Sequence, residues 1–217
     1  MIAHVYERAR RARSLDAVVV ATDDERIAQA VDAAGGVAVM TAATHASGTD
    51  RIAEVAAALP CRLIVNVQGD EPLLDPAVID RVVEPLRQDA SIPMGTAARP
   101  LGGPEEMASP HVVKVVCDRR GFALYFSRAP IPYGRDDSPL HAARAHVGLY
   151  VYRRDALLRL ASLPPGRLER LEGLEQLRAL ENGIAIKVVD TDYRSAEVNT
   201  PDDLVRVRGE LHGNASH

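Results

Sequence analysis

Apolar residues along the chain alternate between two spacings, a step of three or four that marks a helix face and short unbroken runs that mark buried strands. Ile2, Val5, Tyr6 and Ala9 share a helical face, and Ala17 to Ala21 is an apolar run of strand character. Ile27, Ala30, Val31 and Ala34 predict a helix stopped by Gly35 and Gly36, with Val37 to Met40 as the next strand. Ile52, Val55, Ala56 and Leu59 form the inner face of a helix entered through Ser47-Gly48-Thr49-Asp50-Arg51, and Leu63 to Val67 follows as a strand. Asp75 caps, and Pro76 opens, a helix whose buried face is Val78, Ile79, Val82, Val83 and Leu86. Pro93 to Ala98 predicts a further strand.

The alternation then breaks. Val112 to Cys117, a turn at Asp118-Arg119-Arg120-Gly121 and Phe122 to Phe126 predict a β-hairpin, which runs into Ser127 to Tyr133, where Pro130 and Pro132 enforce an extended segment displaying Arg128. His146 to Tyr152 is a strand pattern, followed by a helix to about Ser162 and a break at Pro164-Pro165-Gly166. One longer helix is expected through Leu168, Leu171, Leu174, Glu175, Gln176, Leu177 and Leu180, then a strand from Ile184 to Val189 and a last helix capped around Asn199 to Leu204. The whole reads as one α/β domain over residues 1–211, a mostly parallel sheet flanked by helices with a β-hairpin insertion, and a frayed tail over 212–217. The pattern opens on a helix where an α/β sheet ordinarily opens on a strand, so the first strand is expected to be missing from this chain.

Composition narrows the function. A formal net charge of −4 with both signs interspersed over 217 residues provides no basic footprint for nucleic acid. Cys61 and Cys117 lack metal-ligand spacing and read as buried free thiols of a reducing compartment. No apolar run reaches the length of a membrane span and the start has no signal-peptide character, so a cytoplasmic protein without membrane insertion is expected. Neither common Gly-rich phosphate loop is present, nor a serine-hydrolase or metalloprotease signature.

Candidate chemistry gathers at Asn66-Val67-Gln68-Gly69-Asp70-Glu71-Pro72, where a buried strand ends in two carboxylates. Ligands of open α/β sheets bind outside the carboxyl ends of the strands, and Mg²⁺ prefers carboxylate oxygen together with phosphate oxygens, so Asp70 points to nucleotide chemistry. The same carboxylates would also serve simply to close the strand and start a turn. The start of the Gly48 helix is a ready anion site with Arg51 beside it, although capping by Ser47 or Thr49 accounts for the same letters. Arg128 suits bidentate recognition of a carboxylate or phosphate, or plain solvation at the surface.

Taken in order, Ala21-Thr22-Asp23, Ser47 to Arg51, Asn66 to Pro72, Val113 to Val116, Tyr125 to Pro132 and Leu174 to Arg178 resemble the 3-deoxy-manno-octulosonate cytidylyltransferases, over Met1 to about Glu210. The resemblance implies transfer of CMP from CTP to the anomeric hydroxyl of the sugar acid 3-deoxy-manno-octulosonate (Kdo), with Mg²⁺ as cofactor, in the cytoplasm, for lipopolysaccharide synthesis, by a homodimer. It also implies roles: Asp70 as catalytic metal ligand; Ser47, Gly48, Thr49, Arg51 and Gln68 around the nucleotide; Arg128, His146, Tyr150, Glu175 and Gln176 around Kdo. From the residues alone His146 is a strand-end histidine, and Glu175 and Gln176 are an ordinary exposed stretch of helix. Two departures stand out. Asn199 occupies the position of a second metal-binding aspartate, where an amide oxygen would bind Mg²⁺ more weakly or act as a helix cap. The phosphate-gripping loop and strand that precede the matching region in this family are missing, so the chain by itself is expected to be unstable or inactive, at about 1–3 kcal/mol for each buried backbone group left unpaired. The rival readings are a cytidylyltransferase for sialic acid or an amino analogue of Kdo, and a non-catalytic nucleotide-binding protein.

Overall fold

The computed structural model describes residues 1–45, 47–135, 141–198 and 200–213. The first half runs α1 (Ile2–Ala9), β1 (Val20–Thr22), α2 (Glu25–Ala33), β2 (Ala38–Met40), α3 (Gly48–Ala58), β3 (Leu63–Asn66), α4 (Pro76–Gln88) and β4 (Met94–Arg99). The second half runs α5 (Pro104–Ala108), β5 (Lys114–Cys117), β6 (Ala123–Ser127), β7 (Ala143–Arg153), α6 (Arg154–Ser162), α7 (Arg167–Glu172), α8 (Gln176–Glu181), β8 (Ile186–Asp190) and α9 (Pro201–Gly213).

The main sheet has the order β6-β5-β7-β4-β8. β7 is its spine: β4 lines one edge, and β5 and then β3 share the other, against residues 143–145 and 150–153 respectively. The expectation of a mostly parallel sheet holds for direction but not for pairing. β3, β4, β5 and β8 all point one way, yet β7 enters from the hairpin side, runs against three of them and makes the ladder mixed. β1 and β2 pair in parallel as a separate ribbon, and among the described residues the second edges of β1 and β3 have no strand partner.

The two faces of the main sheet carry separate cores. One packs α4 (Val78, Ile79, Val82, Val83, Leu86) and Ala9 of α1 against Ala97, Val147, Leu149 and Val151. The other packs α3, α6 and α8 (Ala53, Ala56, Leu157, Leu160, Leu177) against Met94, Phe126, Tyr152 and Ile186. Strand alternation therefore commits the even-numbered residues of β7, from His146 to Tyr152, to the second face. The β5–β6 hairpin closes the sheet on itself: the Gly121 carbonyl accepts a hydrogen bond from the Val188 N–H at 2.8 Å and Phe122 bridges to Lys187. Strand β8 is thereby not a bare edge.

The end of β7 is clamped from both faces. Arg153 donates to the carbonyls of Leu86, Asp89 and Ile92, at the end of α4 and just beyond it, while Arg154 donates to those of Ala56 and Ala57 at the end of α3. The Leu86, Ala56 and Ala57 carbonyls lie in the last turn of their helices, where cationic donors are favoured.

The expected single helix through Leu168 to Leu180 is instead two short helices. Gly173 takes the left-handed conformation (φ 63°) and ends α7, and α8 restarts at Gln176. A residue that adopts this conformation without strain breaks a periodic pattern that looks continuous in sequence. Helix α5 was not expected, and β7 begins at Ala143, ahead of the predicted start.

Candidate active site

The carboxyl ends of β1, β2 and β3 and the start of α3 converge at one edge of the fold. Ser47 caps α3, its hydroxyl accepting from the Asp50 N–H at 3.2 Å, so the capping alternative describes its side chain. Arg51 is held by Asp23 at 3.0 Å and donates to the Thr41 hydroxyl at 2.5 Å, which fixes its guanidinium over the ends of β1 and β2. Gln68 and Gly69, just past β3, are exposed.

The two carboxylates after β3 have different fates. Glu71 is 2 % exposed and accepts from the Tyr193 hydroxyl at 2.9 Å, and burial raises its pKa. It anchors the segment ahead of α9. Asp70 is half-buried and its Oδ1 is a buried oxygen with no hydrogen-bond partner among the described residues; its carbonyl accepts from the Val198 N–H at 3.0 Å. A buried carboxylate oxygen left unpaired calls for a partner that the described residues do not supply. The described residues hold no group of three or more His, Cys, Asp or Glu fit to bind a metal unaided. One carboxylate with phosphate oxygens completing the set is the usual arrangement for Mg²⁺, so Asp70 fits that cation. Asn199 lies outside the described residues.

Thr49, on the first turn of α3, donates to Glu175 Oε2 at 2.7 Å, tying the α3 side to the α7–α8 joint. Glu175 and Gln176 are not the ordinary exposed stretch expected of them: Gln176 is buried, and Glu175 Oε1 is a buried atom without a hydrogen bond among the described residues. The reason is the Gly173 break, which turns the start of α8 inward. Arg178 lies behind them, 5 % exposed, donating to both oxygens of Glu169 at 2.8 and 2.5 Å and standing 3.6 Å from Glu175 and 4.0 Å from Asp50. The Glu169 pairing raises its pKa further.

Beyond Glu175 the second face of β7 forms an aromatic floor. Tyr152, hydrogen-bonded to Thr49 and Asn66, stacks on Tyr150 at 5.9 Å; Tyr150 lies 5.4 Å from His146, and His146 meets the Phe126 ring edge-on at 5.1 Å. Residues 145, 147, 149 and 151 are fully covered on the opposite face, whereas His146, Gly148 and Tyr150 are only half-buried. A central strand with one face left partly open marks a cleft. A methyl group placed on Gly148 would meet nothing within 4 Å. Burial pushes the Tyr150 pKa well up and the His146 pKa down to about 3, so both rings are neutral.

Arg128 is brought to the border of this cluster, two residues past Phe126, with its guanidinium engaged: Nε donates to the Glu172 carbonyl at 2.8 Å and an Nη to the Pro110 carbonyl at 3.0 Å. Its own carbonyl accepts from the fully buried Lys114, which also donates to Ser109 and Val112. Sequence reasoning passed over Arg178, Glu169, Asn66, Tyr152 and Thr96. Asn66 and Arg178 stood inside the motifs and Tyr152 at the end of a strand pattern, but their burial shows only in three dimensions.

Residues 1–187 match the family described as Cytidylyltransferase. The chain is 59% identical to the 3-deoxy-manno-octulosonate cytidylyltransferase of Syntrophotalea carbinolica, covering 98% of this chain and 88% of the relative. The chain belongs to the 3-deoxy-manno-octulosonate cytidylyltransferase family. Members from Geotalea uraniireducens and Solibacter usitatus are 54% and 55% identical, over 97% and 95% of this chain and 88% and 82% of theirs. A solved CMP:2-keto-3-deoxy-manno-octonic acid synthetase complexed with CTP superposes with a TM-score of 0.93 at 41% identity, covering 98% of this chain and 88% of the other. The 4-diphosphocytidyl-2C-methyl-D-erythritol synthase of Anaerococcus prevotii shares the fold alone, at 15% identity and a TM-score of 0.62. The cytidylyltransferase family is thus reached from the ordered motifs, from whole-chain similarity and from the backbone.

Proposed function

We propose that the chain transfers the cytidylyl group of CTP to Kdo. The anomeric hydroxyl oxygen of the sugar acid bonds to the α-phosphorus, the bond from that phosphorus to the bridging oxygen breaks, pyrophosphate leaves and the hydroxyl proton passes to solvent. The observation that carries this reading is the Thr49–Glu175 hydrogen bond, which joins the helix start expected to receive the nucleotide to the cleft expected to receive the sugar. Positioning of two reactants in one orientation is a large part of what such a site must supply.

On the nucleotide side, Ser47, Gly48, Thr49 and Arg51 frame the base and ribose, with Gln68 reaching from the end of β3. On the sugar side, His146, Tyr150, Glu175 and Gln176 line the cleft, and Arg128 stands at its border. Asp70 would hold Mg²⁺, which when bound neutralises phosphate charge as pyrophosphate departs. Asn199 is the candidate for a second, weaker ligand.

The enzyme works in the cytoplasm in the supply of activated Kdo for lipopolysaccharide, and it pairs as a homodimer through the hairpin region, where Leu124 and Tyr133 are exposed. No helix among the described residues is long and apolar enough to cross a membrane. Pyrophosphate release from CTP and Mg²⁺ with Kdo, compared with N-acetylneuraminate, tests the reaction. Faster turnover of N-acetylneuraminate would reassign the acceptor, and CTP binding without turnover of either acid would remove catalysis altogether. Light scattering at micromolar protein tests the dimer.

A further inference from the structure

We propose that Thr96 is a positioning residue that fixes the tautomer of His146, placing the ring proton on Nε2 and leaving Nδ1 to accept a hydrogen bond from a hydroxyl of the sugar acid. The acceptor half of this statement rests on the reading of the cleft as the Kdo site; the tautomer half rests on geometry alone.

The geometry begins with an irregularity in the sheet. Along β4, Thr96 faces Tyr150 and the next residue, Ala97, faces Val147, so β7 carries two extra residues, Gly148 and Leu149, at that step. A bulge leaves strand backbone groups without their ladder partners. Thr96, wholly buried between apolar neighbours, fills the gap: its Oγ1 lies 2.8 Å from the Leu149 carbonyl and 3.2 Å from the Val147 carbonyl. The same oxygen lies 2.9 Å from His146 Nε2.

A threonine hydroxyl has one proton and accepts through its lone pairs. If that proton pointed at Nε2, Oγ1 and the Leu149 oxygen would face each other at 2.8 Å with no proton between them, a repulsive contact in a buried place. The proton therefore belongs to the carbonyls, and Oγ1 accepts from Nε2–H. A neutral imidazole protonated on Nε2 bears a lone pair on Nδ1. No described residue hydrogen-bonds to Nδ1, and His146, between Tyr150 and the buried Phe126, is only half-buried. The low pKa set by burial agrees with a neutral ring that accepts from a hydroxyl instead of pairing with the carboxylate of the acid.

A core histidine satisfied by one hydrogen bond is the competing account, and it predicts no effect on the sugar. Long-range ¹H–¹⁵N correlation spectra of the full chain report imidazole tautomers directly, with the His146 signals identified by their loss in His146→Asn. The wild-type chain is expected to show His146 protonated on Nε2 and neutral at pH 6. In Thr96→Val, close in shape but without the hydroxyl, that single-tautomer pattern is expected to be lost and KM for Kdo to rise about tenfold, the worth of one neutral hydrogen bond, with KM for CTP changed less than about twofold. Thr96→Ser is expected to restore both. A wild-type ring protonated on Nδ1 overturns the proposal, as does a Thr96→Val chain in which both KM values move together or a Thr96→Ser chain that restores neither. If wild type turns over no Kdo while its spectrum shows the Nε2–H tautomer, the functional reading fails and the acceptor role with it, but the tautomer assignment stands.

Discussion

Removing Arg178 tests how the two halves of the site are held together. In Arg178→Met the side chain keeps its length and loses its charge, so two hydrogen bonds to Glu169, at 2.8 and 2.5 Å, disappear along with the 3.6 Å approach to Glu175. Deleting one member of a buried ion pair costs about 3–5 kcal/mol because the other is left charged and desolvated. Glu169 retains a hydrogen bond from the Gly166 N–H at 2.8 Å and its side chain is 12% exposed, which places the expected loss near the lower figure, about 3 kcal/mol. For a domain of this size that is a fall in Tm of about 6–12 °C, read by circular dichroism melting. Neutralising the orphan as well, in Arg178→Met with Glu169→Gln, keeps an acceptor for Gly166 and is expected to recover about half of the loss. Because Glu175 loses the cation beside it, KM for Kdo should rise more than KM for CTP in both variants, measured by pyrophosphate release. A Tm loss below about 2 °C, or a double variant no more stable than the single one, would refute the reasoning that Arg178 neutralises a buried acidic cluster.

Four further outcomes follow from the same geometry. Asp70→Asn should lower kcat at least about 100-fold with Tm unchanged, since Oδ1 has no hydrogen-bond partner among the described residues to lose; activity within tenfold of wild type at saturating Mg²⁺ would remove its metal role. Ser47→Ala should lower stability by about 1 kcal/mol through the lost cap of α3, visible as a shift in the urea midpoint. Gly148→Ala should leave Tm unchanged, with nothing within 4 Å of the new methyl, and raise KM for Kdo by intruding on the cleft floor. His146, with a pKa of about 3 when folded against 6.5 when unfolded, binds its proton more readily in the unfolded chain; its contribution to stability is complete above pH 6.5 and lost as pH falls toward 3. Urea titrations of His146→Asn between pH 6 and 4 should therefore show a pH slope shallower than wild type by up to about 1.4 kcal/mol per unit.

The helices and strands were legible wherever periodicity and punctuation agreed. α4 declared itself through Asp75, Pro76 and five core residues, and the hairpin through its Asp118 to Gly121 turn. The Leu168 to Leu180 pattern misled because a lone glycine inside a periodic run is compatible with a helix, and only the left-handed turn at Gly173 reveals the break. The mixed pairing was hidden because strand direction depends on where a long connection returns, which local pattern does not encode. For the candidate site, Asp70, Thr49 and Glu175 were named from ordered motifs, and the structure joins Thr49 to Glu175. Thr96 was passed over and Arg178 was quoted only as the end of a motif, since a threonine ahead of two alanines and an arginine between Leu177 and Ala179 look unremarkable until burial and partners are known.

The two arginines that end β7 also say how this protein can move. Arg153 and Arg154 are consecutive and grip the tails of α4 and α3 on opposite faces, so the floor of the cleft and the wall that begins at Ser47 are coupled like parts of one casting. Hinge motion has to be sought where the ties are side chain to side chain, at the joint around Gly173, whose hold on α3 runs through Thr49 with Glu175 and Asp50 with Arg178. Amide exchange should accordingly slow on CTP binding around residues 167–181 while α3 and β7 keep a common, unchanged protection. In that picture α3 and β7 together are a fixed bench, and the α7–α8 joint closes down upon it.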